Sequence, residues 1–274
     1  MTAVEVAPPT SAKAQPRIPR RKMRPITLEV IGLAVGALAW EIVGLAKVSR
    51  FLPPLDDVVG RIWDLLQSGQ LREPLTQSLS NLLIGYAISV GIGVTVGTLM
   101  AVSKYVDYAL RIYVNGLMAT PSILLVPILY VVFGLSSFTL IAVIVLYATV
   151  FIVANTRSAV LGARHDLTEM SQAFGTHPVR GFFEVTLRSA GPEIFGGLRL
   201  GMGRAVKGMF NGELLIAVVG LAQIERTYAG AFDATGILAI ALTILIIAVA
   251  LTAALEALNR ALNSWAVSHS RPSS

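Results

Sequence analysis

A chain of 274 residues that is 54% hydrophobic and only 14% charged is not an ordinary soluble domain, which carries about 25% charged residues. With no cysteine it can build neither a disulfide framework nor a cysteine metal site. Its formal charge of +6 informs through placement, because basic residues between apolar runs orient a membrane protein.

In chain order, residues 1–25 are rich in Pro, Ala, Arg and Lys and read as a disordered basic tail. Apolar runs of spanning length follow, about 20 helical residues being needed to cross the hydrocarbon core. Span 1 runs from Ile26 to Ala46. Residues 47–75 form a polar connection, in which Val58 to Leu66 has the pattern of an amphipathic interfacial helix. Span 2 is read from Leu79 to Val102, span 3 from Tyr108 to Phe133, and span 4 from Phe138 to Leu161. A polar segment then occupies about 162–193. Span 5 runs from Ile194 to Val219 and span 6 from Ile237 to Leu258, with a second tail at 261–274. The expected fold class is all-α integral membrane, a six-span helical bundle over residues 26–260.

Charge orients this bundle. Lys13, Arg17, Arg20, Arg21, Lys22 and Arg24 precede span 1. Lys104 and Arg111 follow span 2, and Arg164, Arg180 and Arg188 follow span 4. The opposite loops hold Lys47, Arg50, Arg61, Arg72 and Arg226, offset by Asp56, Asp57, Asp64 and Glu73. Both termini and the 162–193 segment therefore fall in the cytoplasm. The basic N-terminal cluster suits anionic lipid heads and a topogenic role, not nucleic acid.

Several spans carry more than hydrophobicity. Gly32/Gly36, Gly93/Gly97, Gly197/Gly201 and Gly208/Gly212 each sit four apart on one helix face, a spacing that lets backbones approach within a chain or between copies. Pro121 and Pro127 are expected to kink span 3. Asn115, Thr120 and Ser122 in span 3, and Asn211 and Glu213 in span 5, are candidate pathway-lining groups. The alternatives are backbone bonds beside the prolines and interhelical pairing. Arg204, Lys207 and Asn211 share one face of span 5, with Glu213 on another.

Catalytic patterns are missing. There is no Gly-x4-Gly-Lys-Ser/Thr phosphate loop, so the chain is not expected to hydrolyse ATP by itself. His165, His177 and His269 lack metal-ligand spacing, and no metal site is expected. A membrane-embedded enzyme needs paired carboxylates or a histidine cluster at one depth, and neither is found.

The polar segment has internal order. Asp166 and Glu169 have capping-box spacing for a short helix beginning at Leu167. Gly175 can end that helix in the left-handed region, Thr176 can cap a second, and Pro178 suits its first turn. Val185-Thr186-Leu187 follows. This layout resembles the cytoplasmic EAA loop of permease subunits of binding-protein-dependent ABC importers: Glu-Ala-Ala, three residues, Gly, nine residues, Ile-x-Leu-Pro. Glu169, Gly175 and Leu187 match in register, and Val185 stands for Ile. Met170 and Ser171 replace the alanines, and Arg188 replaces the proline, whose kink is then not enforced. The resemblance covers roughly residues 70 to 260. The run Gly197 to Arg204 is similar to the subgroup handling nitrate, sulfonates, taurine and related small solutes.

That resemblance implies a type I ABC importer permease in a bacterial cytoplasmic (inner) membrane. It implies an ATPase-coupling loop formed by Glu169, Ser171, Phe174, Gly175, Val185 and Leu187, with Phe174, Phe182 and Phe183 as exposed apolar anchors. It implies three kinds of partner: ATP-binding ABC subunits, an extracytoplasmic solute-binding protein, and a second copy of the chain in a homodimer. ATP is then bound by the partner subunit, and this chain carries no cofactor. The competing reading is a secondary, ion-coupled transporter that uses its intramembrane charges and has no use for a structured cytoplasmic loop.

The charge asymmetry sets a topology test. Reporter fusions after Leu71 and Arg226 are expected to report the outside and a fusion after Gly175 the inside; an outside signal at Gly175 overturns the assignment.

Overall fold

The computed structural model describes residues 25–49, 51–163, 170, 175–216 and 220–262, and among these the secondary structure is entirely helical. The expected 1–25 and 261–274 tails lie almost wholly outside the described residues.

Helix α1 (Pro25–Leu45) leads into α2 (Leu55–Gln67) through a tight corner. Glu41, an acid inside the first apolar run, turns back to accept the backbone N–H groups of Leu55 at 2.7 Å and Asp56 at 3.3 Å. It thereby closes the N-terminus of α2, whose first-turn N–H groups have no intrahelical partner. Trp40 Nε1 donates to the Pro53 carbonyl at 3.0 Å. The amphipathic reading of this region holds as a two-faced helix: Val58 and Leu65 are buried, while Val59, Trp63 and Leu66 are exposed.

The core is a slab of three long helices. Helix α3 (Arg72–Val102) packs along α6 (Ser137–Leu161), and α6 packs along α8 (Leu187–Ile216). Between lipid-embedded helices the hydrophobic effect gives no net attraction, so close packing must supply it. Ile152 of α6 shows how. A Cβ on Gly93 of α3 would lie 2.5 Å from Ile152 Cγ2, and one on Gly201 of α8 would lie 2.5 Å from Ile152 Cγ1. The isoleucine is wedged between two glycines on opposite helices. Gly97, Gly197, Gly208 and Gly212 make similarly close approaches to α6, so three of the four glycine pairs serve packing within the chain. Gly32 and Gly36 of α1 face open space, and a Cβ on either would meet nothing within 4 Å.

The remaining elements attach to the slab. Helix α9 (Leu221–Gly230) and α10 (Ala234–Leu262) pack on α8 and on each other, and α2 packs on α10. Arg61 of α2 pairs with Asp233 at 3.3 Å, just ahead of α10.

Span 3 differs from the expected single kinked helix. The chain instead forms α4 (Lys104–Ala119), a 3₁₀ turn (Ser122–Leu125) and α5 (Val126–Phe133), with a 102° bend. Thr120 is extended because it precedes Pro121, whose ring disfavours helical backbone in the residue before it. Pro127 sits in the first turn of α5, where its missing N–H removes no helix bond. One proline ends a helix and the other starts one.

Among the described residues, α3, α6 and α10 are long and apolar enough to cross a membrane, and the bent α4–α5 pair gives a fourth. The apolar run of α1, Val30–Leu45, is shorter. Helix α8 is long enough, but its apolar run is interrupted by Arg199, Arg204, Lys207 and Glu213.

Gly201→Ala and Ile152→Ala are each expected to lower thermal stability in detergent, the overpacked variant by about 1–3 kcal/mol and the cavity variant by about 2–5 kcal/mol. In the double variant the costs should fall well short of their sum, because the deleted side chain frees the space that the added methyl needs.

Candidate functional site

Three constellations carry polar chemistry. The first is the segment entering α8. Gly175 is exposed with φ +73°, the left-handed conformation expected for the elbow. Beyond it, α7 (Pro178–Gly181) passes into a π-helical turn (Phe182–Thr186) and directly into α8. With Arg188 in place of a proline, the backbone N–H at that position is retained and the helix continues without a break. The π turn absorbs an extra residue instead, a device that recurs at functional sites. Val185 and Leu187 are half-buried, and Leu187 packs against the main core. Phe183 is exposed as expected. Phe182 is not: it is half-buried against the core, its ring edge-on to Phe183 at 5.4 Å. Glu169, Ser171 and Phe174 lie outside the described residues, as does the Asp166 capping box.

The second constellation surrounds Glu213, which is fully buried. Ser78 Oγ of α3 donates to Glu213 Oε1 at 2.6 Å. The backbone N–H of Leu221 donates to Ser78 Oγ at 3.0 Å, and that of Ala222 to Glu213 Oε2 at 3.3 Å. Carboxylate and hydroxyl together close the N-terminus of α9. Gly220 holds φ +82° there, and a Cβ on it would lie 2.3 Å from the Glu213 carboxyl carbon. Glu213 thus joins α8 to α3 and α9 through hydrogen bonds.

The third lies where the end of α3, the start of α4 and the end of α6 meet. Arg157 grips Asp107 side-on, Nε to Oδ1 at 2.6 Å and Nη2 to Oδ2 at 2.9 Å. Arg111 also donates to Asp107 Oδ2. Such bidentate, charge-assisted pairs are the strong ones. The reading of the chain missed this cluster. The Asp107–Arg111 spacing of four is a local signal, but Arg157 lies 50 residues from Asp107.

The candidate lining residues are dispersed. Asn115 is exposed beside Arg111 and Arg157 in one cavity. Thr120 Oγ1 donates to the Gly116 carbonyl at 2.8 Å, a backbone bond beside Pro121. Ser122 opens the 3₁₀ turn. Asn211 Nδ2 donates to Tyr147 Oη at 3.2 Å, tying α8 to α6. Arg204 stacks over the Phe151 ring at 3.8 Å, and Lys207 is exposed. No group of acids and histidines suited to a metal occurs among the described residues.

This helical arrangement has known counterparts. The model of the family described as "binding-protein-dependent transport system inner membrane component" matches residues 90–266. The chain belongs to this family. It is 26% identical over 250 residues to the taurine transport system permease protein TauC of Escherichia coli K12, covering 88% of this chain and 90% of that protein. It is 28% identical over 214 residues to the putative aliphatic sulfonates transport permease protein SsuC of Bacillus subtilis 168, covering 76% of this chain and 76% of that protein. Its fold is similar to a chain of the inward-facing MetNI methionine ABC transporter, with a TM-score of 0.62 at 21% identity, over 71% of this chain and 96% of that one. The protein is a membrane permease subunit of an ABC importer.

In this permease Gly220→Ala is expected to cost about 2–4 kcal/mol, since a Cβ both strains the backbone and strikes the carboxylate that caps α9. Glu213→Ala should cost a similar amount by leaving buried N–H and hydroxyl groups unpaired. Thermal unfolding in detergent reads both, and a neutral Gly220→Ala would show that the cap is dispensable.

Proposed function

We propose that two copies of this permease form the membrane pathway of a bacterial inner-membrane importer, each copy spanning the bilayer six times with both termini in the cytoplasm. Separate ATP-binding subunits dock on the cytoplasmic segment around Gly175, and an extracytoplasmic solute-binding protein delivers the cargo. The solute is a small molecule of the taurine, sulfonate or nitrate kind, in line with the names of the relatives. The six spans comprise α1, α3, the bent α4–α5 pair, α6, α8 and α10.

The observation that carries this reading is mechanical. Thr176 and His177 alone separate the left-handed Gly175 elbow from helix that runs unbroken through α7 and the π turn into α8. Helix α8 is in turn a member of the central slab. A push on the elbow by a closing ATPase therefore reaches the core without passing through a long loose loop. The permease has no phosphate loop of its own, so the work must enter through this contact. Ligand binding shifts a conformational equilibrium only through contacts that differ between the two states, and the elbow provides such a contact. Asp107 and Glu213 are both held in interhelical bonds, which disfavours the ion-coupled alternative.

Glu169→Ala and Gly175→Val test the coupling role. The expected pattern in membranes containing the partner subunits is near-normal permease abundance, weakened ATPase association and lost uptake. A valine at φ +73° costs about 1 kcal/mol or more, but on an exposed segment, so insertion should survive. Normal uptake in both variants rejects the coupling role.

A further inference from the structure

The Asp107 cluster holds more positive charge than its ion pairs consume. Two guanidiniums face one carboxylate, which leaves a net positive charge. The carboxylate is well shielded, at 9% side-chain exposure, while Arg157 retains 26% and Arg111 47%. Each guanidinium has five N–H donors, and Asp107 takes two from Arg157, so donors remain on both arginines. The tail of Arg111 is backed by the Tyr108 ring, 5.5 Å from the guanidinium carbon.

These arginines open onto a cavity of about 250 Å³ between α3, α4 and α6. Its wall has two characters. Asn115 and Ser158 add polar side chains near the arginines, whereas Met100, Met118 and Ala154 supply an apolar surface. Asn115 has no hydrogen-bond partner among the described residues, so its amide is free to donate. Planar, multi-donor guanidiniums suit oxyanions, which accept several N–H bonds at once. The apolar wall suits a short hydrocarbon body attached to that oxyanion.

We propose that this cavity is a binding site for an oxyanion carried on a short apolar body, with Arg111 as the main capturing group and Arg157 as the second. Asp107 holds both arginines in place and lowers their net charge, so that the anion binds reversibly. Two sources share this chemistry: a soluble organic sulfonate, and the phosphate of a lipid headgroup entering from the bilayer. The site is separate from the coupling role of Gly175, and its test needs neither ATPase, binding protein nor uptake, so either idea can fail alone.

The test uses the full-length permease in phosphatidylcholine nanodiscs. Radiolabelled 1-butanesulfonate binding is measured at low and high salt, and retained phosphatidylglycerol is measured by native mass spectrometry after its addition. Arg111→Gln keeps the Asp107–Arg157 grip and is expected to weaken one probe by about 10- to 100-fold, the loss of a charge-assisted hydrogen bond. Arg204→Gln, whose guanidinium lies over Phe151 instead, should leave binding unchanged. Sulfonate binding lost in Arg111→Gln assigns a soluble ligand, and phosphatidylglycerol retention lost in that variant assigns a lipid. If Arg111→Gln proves unstable, Met118→Trp fills the cavity without touching the ion pairs and should abolish binding. Failure of both probes to bind saturably, or equal binding by the permease and these cavity variants, overturns the proposal.

Discussion

The wedging of Ile152 between Gly93 and Gly201 sets the geometry on which the other elements depend. Helix α6 can have α3 on one side and α8 on the other only if both backbones come close, and glycine permits that approach. Leu82, Leu140, Ile144, Ile152 and Met209 are then fully buried, making the dense interior that substitutes for a hydrophobic drive in lipid. Helix α10 rests on α8, α2 on α10 and α1 on α2, so position is handed outward from this slab. Tyrosines reinforce it: Tyr86 donates to the Leu198 carbonyl at 2.9 Å, and Tyr130 to that of Gly212 at 2.7 Å.

Helix α8 belongs both to the slab and to the segment that follows Gly175. The substitution of Arg188 for the motif proline strengthens that dual membership, because nothing interrupts the helix between Pro178 and the core. The π turn at Phe182–Thr186 gives a local irregularity there, and Phe182 anchors it by packing inward. The α4–α5 pair is different in kind. It is bent by 102°, and Tyr105, Ile112, Val131 and Val132 remain exposed on it. In the proposed two-copy assembly, its apolar faces are the surfaces still to be covered.

The long apolar helices were legible because composition alone defines them. Span 4 was read from Phe138 to Leu161 and is Ser137–Leu161; span 2 ends at Val102 in both. The start of span 5 was placed at Ile194 whereas α8 begins at Leu187, since hydropathy registers where a helix becomes apolar and not where it begins. Span 3 holds as an apolar pair bent at Pro121, and only Pro127, which starts a helix instead of kinking one, departs from the single meaning given to both prolines. Their effect depends on whether the N–H they remove was committed, and only the fold decides that. The left-handed backbone at Gly175 was legible from local spacing. The partners of Glu213 were not: Ser78 lies 135 residues away, and no local pattern encodes such a contact.

Acids within apolar runs are ordinarily the first candidates for transport chemistry, since burying them is costly. Here two of them, Glu41 and Glu213, have a common structural task. Glu41 closes the N-terminus of α2, Glu213 with Ser78 closes that of α9, and Asp107 sits in the first turn of α4 while tying it to α6. Each of these helices starts inside or beside the membrane domain, where water is a poor partner for the free N–H groups of a first turn. A carboxylate from a neighbouring helix satisfies those groups and complements the positive end of the helix dipole. Short helices broken off from long ones create such ends, so a bundle with corners needs acids where a bundle of straight spans would not. Glu41 and Glu213 spend their bonds on these helix starts and on Ser78. Asp107 is the exception, because it recruits two arginines for one charge, and the surplus cation is left facing a cavity.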